Sequence, residues 1–413
     1  MRSIFSIFLF LNLLFSNFVF SEEPFDFRNS KDKKEFLTKI QKLGDAEISK
    51  LHIQLLTMDY ATTVTTAFGH SAVRMFWGKE FEDNDYFIDF GEYDESAGFI
   101  WRFLKGEAKF YITIRKMAEA YSIWDTTGRG MYASEFQFDA AQKKKFLQNL
   151  LEYLQKYESG YFYDNFSSNC VTYIRDLVSS TIGQKFQLEA NLNNRTWRSR
   201  LLPYSNRIFW LRIEEKLLLD YDTDKIRDPF ELIYLPYDLL FSLEDAKIVK
   251  EKVLLHRNFW KLPEEFDMFG TFCLVLTLFI VISQLPFPIF LGYRPLATKI
   301  FAVVSTIGGL FVLVVKLFTS FNFMNDTITY LLLTPLDLFL LFGKRFSNQV
   351  QKIYYTLRVL MCAVVVVLRF TIYPQKTDLL IFFVSLIILL LTWNFFREQK
   401  TIDASGSFSK NVE

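Results

Sequence analysis

Cysteine is almost missing from this chain, with 3 residues in 413. Two of them, Cys273 and Cys362, fall inside apolar runs, so Cys170 stands alone in the polar part of the sequence and has no disulfide partner there. A disulfide-built fold is excluded, and the lone thiol is left as either a small buried hydrophobe or a chemical tool. Net charge of one sign is lacking too: the formal value is +1, which provides no global field for nucleic acid or an acidic partner. Histidine occurs 3 times, and neither Cys-x-x-Cys nor His-x-x-x-His is present, so the sequence carries no metal signature. Internal repeats and low-complexity linkers are also missing.

Apolar residues are plentiful, at 51%, and they are unevenly spread. Arg2 followed by the apolar run Ile4 to Phe20 and the small-residue site Val19-Phe20-Ser21 reads as a signal peptide over residues 1–21. Residues 22–266 then read as one exported domain. Beyond Asp267 come five apolar stretches, roughly Met268–Leu291, Ala297–Phe318, Ile328–Phe342, Tyr354–Ile372 and Leu379–Phe396, the third short and broken by Pro335. About 20 apolar residues cross a bilayer, so residues 267–397 read as a five-helix membrane domain and 398–413 as a tail. Basic residues fall in alternate connections: Arg294 and Lys299, then none from Thr319 to Asp326, then Lys344, Arg345 and Lys352, then Lys376 alone, then Arg397, Lys400 and Lys410 in the tail. That alternation places the first domain outside and the tail in the cytoplasm. Asp337, inside the third stretch, is an ionisable group at a depth where charge is costly.

Within the exported region the spacing predicts a helix over Asp32 to Met58, β-rich sequence from Thr62 to Trp77, strands at Asp85 to Phe90 and Lys109 to Arg115, an Asp-capped amphipathic helix over Asp139 to Tyr157, and a second helix from Val171 to about Ser180. Strands and helices are mixed without strict alternation, which points to the α+β class.

His70 lies in Phe68-Gly69-His70-Ser71-Ala72-Val73-Arg74 at the start of a predicted strand, and Cys170 follows Asn169 and opens a helix. The exposed N–H groups and positive dipole at a helix start favour a thiolate, an imidazole can take or hold its proton, and the Cys170 N–H lies where an oxyanion would form. Asn169 could add a side-chain donor. Read alone, each residue is as well explained by structure, Cys170 as a buried thiol and His70 as a core or capping histidine.

The ordered segments Gly69-His70-Ser71-x-x-Arg74, Asp89-Phe90-Gly91, Tyr163-x-x-Phe166-x-x-Asn169-Cys170, Arg195-Thr196-Trp197-Arg198, Asp228-Pro229 and Leu235-Pro236-Tyr237-Asp238-Leu239-Leu240, spread over about Leu56 to Leu240, resemble the Lnb N-terminal periplasmic domain family. The resemblance implies a permuted papain-type (NlpC-like) periplasmic domain followed by an all-α multispan domain in the bacterial inner membrane. It implies an acyltransferase that moves a fatty acyl chain from a phospholipid to the N-terminal amine of a lipoprotein, with no cofactor. In that reading Cys170 is the nucleophile, His70 the base and Asp89 the residue that orients it, at a position where many relatives carry Asn. Ser71, Arg74, Arg195 and Arg198 are candidate substrate contacts. The same residues leave open a membrane-anchored cysteine peptidase or amidase, and a non-enzymatic lipid-binding module.

Overall fold

The structure, a computed structural model, describes residues 30–61, 63, 66–94, 98–188, 195–258, 266–325, 327–371 and 379–410. The expected signal peptide lies outside these residues. The chain divides into two compact units, one formed by Met1–Ala61, Thr65–Ala190 and Asp228–Leu262, the other by Thr62–Val64, Asn191–Arg227 and Pro263–Glu413. The expected domain over residues 22–266 spans parts of both units: the chain leaves the first unit at Ala190 and returns to it at Asp228.

Among the described residues, the first unit is built on seven antiparallel strands: β1 (His52–Met58), β2 (His70–Phe76), β3 (Asp85–Tyr93), β4 (Lys109–Lys116), β5 (Met131–Glu135), β6 (Tyr161–Phe162) and β7 (Val253–His256). Their order is β6-β4-β3-β2-β1-β5-β7, so β2 and β1 lie at the centre. Nearly every residue of β2 and the first six of β3 are buried, as expected of strands covered on both faces. Leu56, Met58, Ala72, Phe87, Met131 and Ala133 form one side of this core, capped by Met117 and Ala120 of the Met117–Thr127 helix.

The strand over His52–Met58 corrects the expected helix there. Helices form over Lys31–Ile40 and Asp45–Ser49, and then the chain extends. Leu51 and Leu55 fit a helical period, but Ile53, Leu55 and Thr57 alternate as well. Pairing with both β2 and β5 decides between the two, because a central strand satisfies its whole backbone in ladders. The Ala140–Lys156 helix opens on Asp139, whose carboxylate accepts from the Gln142 N–H at 2.8 Å while the Gln142 side chain answers the Asp139 N–H at 3.1 Å. The Cys170–Ile182 helix ends at Gly183 with φ +75° and packs on β2 and β3.

Among the described residues of the second unit, four apolar runs are long enough to cross a membrane: Pro288–Phe318, Asn322–Arg345, Asn348–Thr371 and Leu380–Thr401. The first expected stretch instead gives a shorter apolar helix, Met268–Gln284. Pro286 and Pro288 explain its early stop, since each denies an N–H and disfavours helix before it. Asn322–Arg345 is broken at Thr334-Pro335 into short pieces, Thr329–Leu332, Pro335–Leu338 and Phe339–Phe342. A break at this depth strands carbonyls that hydrocarbon cannot solvate. Arg358 from the Asn348–Thr371 helix answers two of them, donating to the carbonyls of Leu331 at 2.9 Å and Leu332 at 2.7 Å. Its charge is met by the fully buried Asp337 at 2.7 Å, which also accepts from Tyr354 at 2.7 Å and Ser305 at 2.5 Å. Asp337 is thus the counter-charge of a helix-break repair.

Candidate active site

Strand geometry places His70 and its partner. Alternate residues of a strand share a face, so His70 and Ala72 lie on one side of β2, and Ala72 is paired with Asp89 of β3. Asp89 is thereby the diagonal neighbour of His70, and its Oδ1 lies 2.8 Å from His70 Nε2. The β3–β4 register shifts between Asp89 and Glu92, an irregularity of the kind that re-aims side chains beside sites. Gly91 lies in that irregularity, and its N–H donates to Asp89 Oδ1 at 2.7 Å. A Cβ on Gly91 would stand 2.7 Å from His70 Cε1, 3.4 Å from Asp89 Oδ1 and 3.5 Å from Cys170 Cβ. The point where a methyl group is missing is therefore the point where the three residues converge.

Cys170 is the first residue of its helix, and the cap that aims it is fully committed. Asn169 Oδ1 accepts from the N–H groups of Val171 at 2.9 Å and Thr172 at 3.0 Å, and Asn169 N–H donates to Thr172 Oγ1 at 2.9 Å. Asn169 Nδ2 donates to the carbonyls of Asn165 at 2.8 Å and Tyr234 at 3.3 Å. Both amide hydrogens are used, so Asn169 is no oxyanion donor, as the sequence had suggested it could be; it fixes the helix start instead. The Cys170 N–H itself has no partner among the hydrogen bonds of the described residues and remains open to an incoming oxygen.

Electrostatics agree with this assembly. Burial by itself would depress the His70 pKa, but the charges of Asp89 and Cys170 and hydrogen bonds to both lift it well above the usual histidine range. With Nε2 held by Asp89, Nδ1 is the ring nitrogen left for the thiol. Asp89 is shifted the other way: burial opposes its charge, yet His70, the Gly91 N–H and Arg115 hold its carboxyl below the usual range. Trp124 stacks on the imidazole at 5.8 Å with 16° between planes, fixing the ring's remaining freedom.

Of the expected substrate contacts, Ser71 and Arg74 are committed to the core of the first unit. Ser71 points to the face of β2 opposite His70, fully buried. Arg74 is four residues, about 13 Å, along the strand from His70. It is also fully buried and bonded to Asp85, with Nε–Oδ1 2.9 Å, which leaves it a core ion pair. Arg195 and Arg198 belong to the second unit. Arg198 donates to Asp224 at 3.0 Å and to the carbonyls of Glu215, Leu219 and Asp220, so its guanidinium is consumed by structure. The Arg195 carbonyl receives the Arg227 N–H at 2.9 Å. Among the described residues no group of three or more His, Cys, Asp or Glu is gathered as metal ligands would be.

Sequence reasoning missed Arg129. It sits between the Met117–Thr127 helix and β5, with its guanidinium 4.4 Å from the centre of the Trp124 ring and its Nε donating to the Asp59 carbonyl at 2.6 Å. The flanking glycines were the available signal. Gly128 caps the helix at φ +66°, and a side chain on Gly130 would collide with the Asp59 carboxylate. An arginine held between two such positions is a fitted residue, not a surface turn.

Residues 40–203 match the family model for the Lnb N-terminal periplasmic domain. No curated protein and no solved structure matches the chain. The matched segment contains His70, Asp89 and Cys170 with the strands and the helix that position them. Residues 40–203 thus carry an Lnb N-terminal periplasmic domain, in a chain that also has, among its described residues, four apolar runs long enough to span a bilayer.

Proposed function

We propose that this protein is a thiol-dependent acyltransferase that takes an acyl chain from a membrane phospholipid and passes it to the N-terminal amine of a lipoprotein, on a permuted papain-type domain facing the periplasm at the inner membrane. The convergence of Cys170, His70 and Asp89 at the missing Cβ of Gly91 carries this reading. The Cys170 thiol gives its proton to His70, and the sulfur attacks the ester carbonyl carbon. The open Cys170 N–H receives the developing oxyanion. As the tetrahedral intermediate collapses, the C–O bond breaks and His70 returns the proton to the glycerol oxygen, so a lysophospholipid leaves and a thioester remains. The neutral α-amine of the acceptor then attacks the thioester; its proton passes through His70 to the departing sulfur, and an amide is formed. Both substrates are membrane-bound, which is consistent with a chain whose other unit contains long apolar helices.

The test is incubation of the purified full-length protein with acyl-labelled phospholipid. A hydroxylamine-sensitive label on the peptide containing Cys170 is the expected result, absent in Cys170→Ala and reduced about 10²–10⁴-fold in rate in His70→Ala. Release of free fatty acid, with no transfer when a lipoprotein peptide is supplied, would identify a hydrolase. Full N-acylation by Cys170→Ala would remove the cysteine from the mechanism.

A further inference from the structure

Arg129 has a feature that the acyl-transfer chemistry leaves unused. The residue is only 4% exposed, yet its Nη2 is buried without a hydrogen-bond partner, and no carboxylate stands within ion-pair distance of it among the described residues. Asp59, the nearest acidic residue, gives Arg129 its backbone carbonyl; its carboxylate instead accepts from Tyr237 and from Asn258 at 2.9 Å. A buried cation with an open donor and no carboxylate in ion-pair contact has lost its hydration without a bonded counter-ion, an arrangement completed by binding an anion.

The anion would sit beside the reacting atoms. Arg129 Cζ is 4.4 Å from the Trp124 ring centre, and the His70 ring centre is 5.8 Å from the same point, so the guanidinium lies no more than about 10 Å from the imidazole. The charge of Cys170 also reaches it. Burial depresses the guanidinium to about 10, with Asp59 and Cys170 opposing that shift, so it stays cationic at neutral pH.

We propose that Arg129 anchors the phosphodiester of the donor phospholipid while Cys170 attacks its ester. The inference rests on the acyl-transfer reading and assigns the part of the substrate that does not react. The sign of the charge selects the donor: the acceptor presents an amine, which a buried guanidinium repels when protonated, whereas the donor presents an anionic phosphate one glycerol unit from the ester carbonyl. Anchoring that phosphate places the ester over the thiol and excludes lipids that lack a head-group charge.

Binding separates this role from catalysis. Full-length Cys170→Ala, which cannot turn over, is titrated in micelles with short-chain phosphatidylglycerol and with diacylglycerol of the same chains. Adding Arg129→Gln should weaken phosphatidylglycerol about 10–100-fold and leave diacylglycerol unchanged, with Arg129→Lys between. Inorganic phosphate at high concentration should compete with phosphatidylglycerol and not with diacylglycerol in the protein that retains Arg129, a measurement that needs no arginine variant to fold. Equal losses on both lipids would mean a structural or oxyanion role and overturn the proposal, as would no loss on either. Phosphate alone binding as tightly as the lipid would make this a free-anion site and overturn it too. With Cys170 restored, Arg129-dependent lipid binding without any thioester would sink the acyltransferase reading and leave the anchor standing.

Discussion

Gly91→Ala tests the site with one methyl group. The new Cβ would stand 2.7 Å from His70 Cε1, where ordinary contact begins at 3.4 Å, so the imidazole must retreat by about 0.7 Å or more. Retreat is resisted. The ring is tied to Asp89 at 2.8 Å and lies against Trp124, and Gly91 has no positive φ through which alanine would strain the backbone. A displacement approaching 1 Å between catalytic groups costs about 10²-fold in rate. Overpacking a fitted site costs about 1–3 kcal/mol of stability. We therefore expect thioester formation from labelled phospholipid to fall about 10²-fold in Gly91→Ala, with a protein that still folds and melts cooperatively. The same substitution in a His70→Ala background should cost little more, since the methyl group acts by displacing a ring that is no longer there. A wild-type acylation rate in Gly91→Ala would refute the convergence, and so would an equal loss in both backgrounds.

Asp89→Asn keeps an acceptor for Nε2–H and removes the charge that lifts His70, so burial then pulls the imidazole pKa down, and the alkaline limb of the acylation pH profile should move to lower pH. The sign for stability follows from both shifts. The raised His70 contributes fully below its unfolded value of about 6.5 and loses that contribution as pH climbs through the folded one; the lowered Asp89 contributes above about 3.9 and loses it as pH falls. The Tm gap between wild type and Asp89→Asn should thus be widest between about pH 4 and 6.5 and narrow at alkaline pH; a gap that widens toward alkaline pH would contradict the pairing. Asn169→Ala should cost about 1–2 kcal/mol as a lost N-cap, read by thermal unfolding, together with a fall in acylation as Cys170 loses its fixed start; unchanged Tm and rate would contradict the capping role. Asp337→Ala leaves Arg358 buried without its counter-charge and should cost about 3–5 kcal/mol in detergent, whereas a melting temperature within error of wild type would show that the break is held by other means.

The pair at the heart of the site was legible because each residue sits at an element boundary that leaves a mark. An Asn before a helix, with Cys170 next, is a cap, and a Gly before a short, mostly apolar run is a strand start. Asp89 was legible only through the resemblance; as a residue type it is equally a strand-end turn former, and the register that brings it to His70 is a property of pairing, not of spacing. Ser71 and Arg74 misled for the same reason. Their proximity in sequence to His70 says nothing about face or reach, whereas a strand sends Ser71 to the other side and carries Arg74 away. The helix expected over Asp32 to Met58 failed at His52 because Leu51 and Leu55 satisfy both periods, and only the neighbours on either side of β1 settle which one forms. Arg129 was invisible because a lone arginine in a Gly-Arg-Gly turn reads as surface, and the ring it lies on is brought to the site by a helix that carries no motif.

The returning segment has a consequence for when the thiol becomes competent. The carbonyl of Tyr234 that holds the Asn169 cap is 65 residues downstream of it, and the carbonyls of Phe230 and Ile233 that receive Arg175 of the same helix come from the same return. At ribosomal speeds of about 5–20 residues per second, that stretch takes roughly 3–13 s to emerge. The helix that carries Cys170 is therefore made well before the groups that seat it, and a fragment cut at the end of the family match, residue 203, would lack them along with β7. Such a fragment would retain Cys170, His70 and Asp89 and still lack the brace that fixes the helix start. In the order of synthesis the thiol therefore precedes the groups that align it.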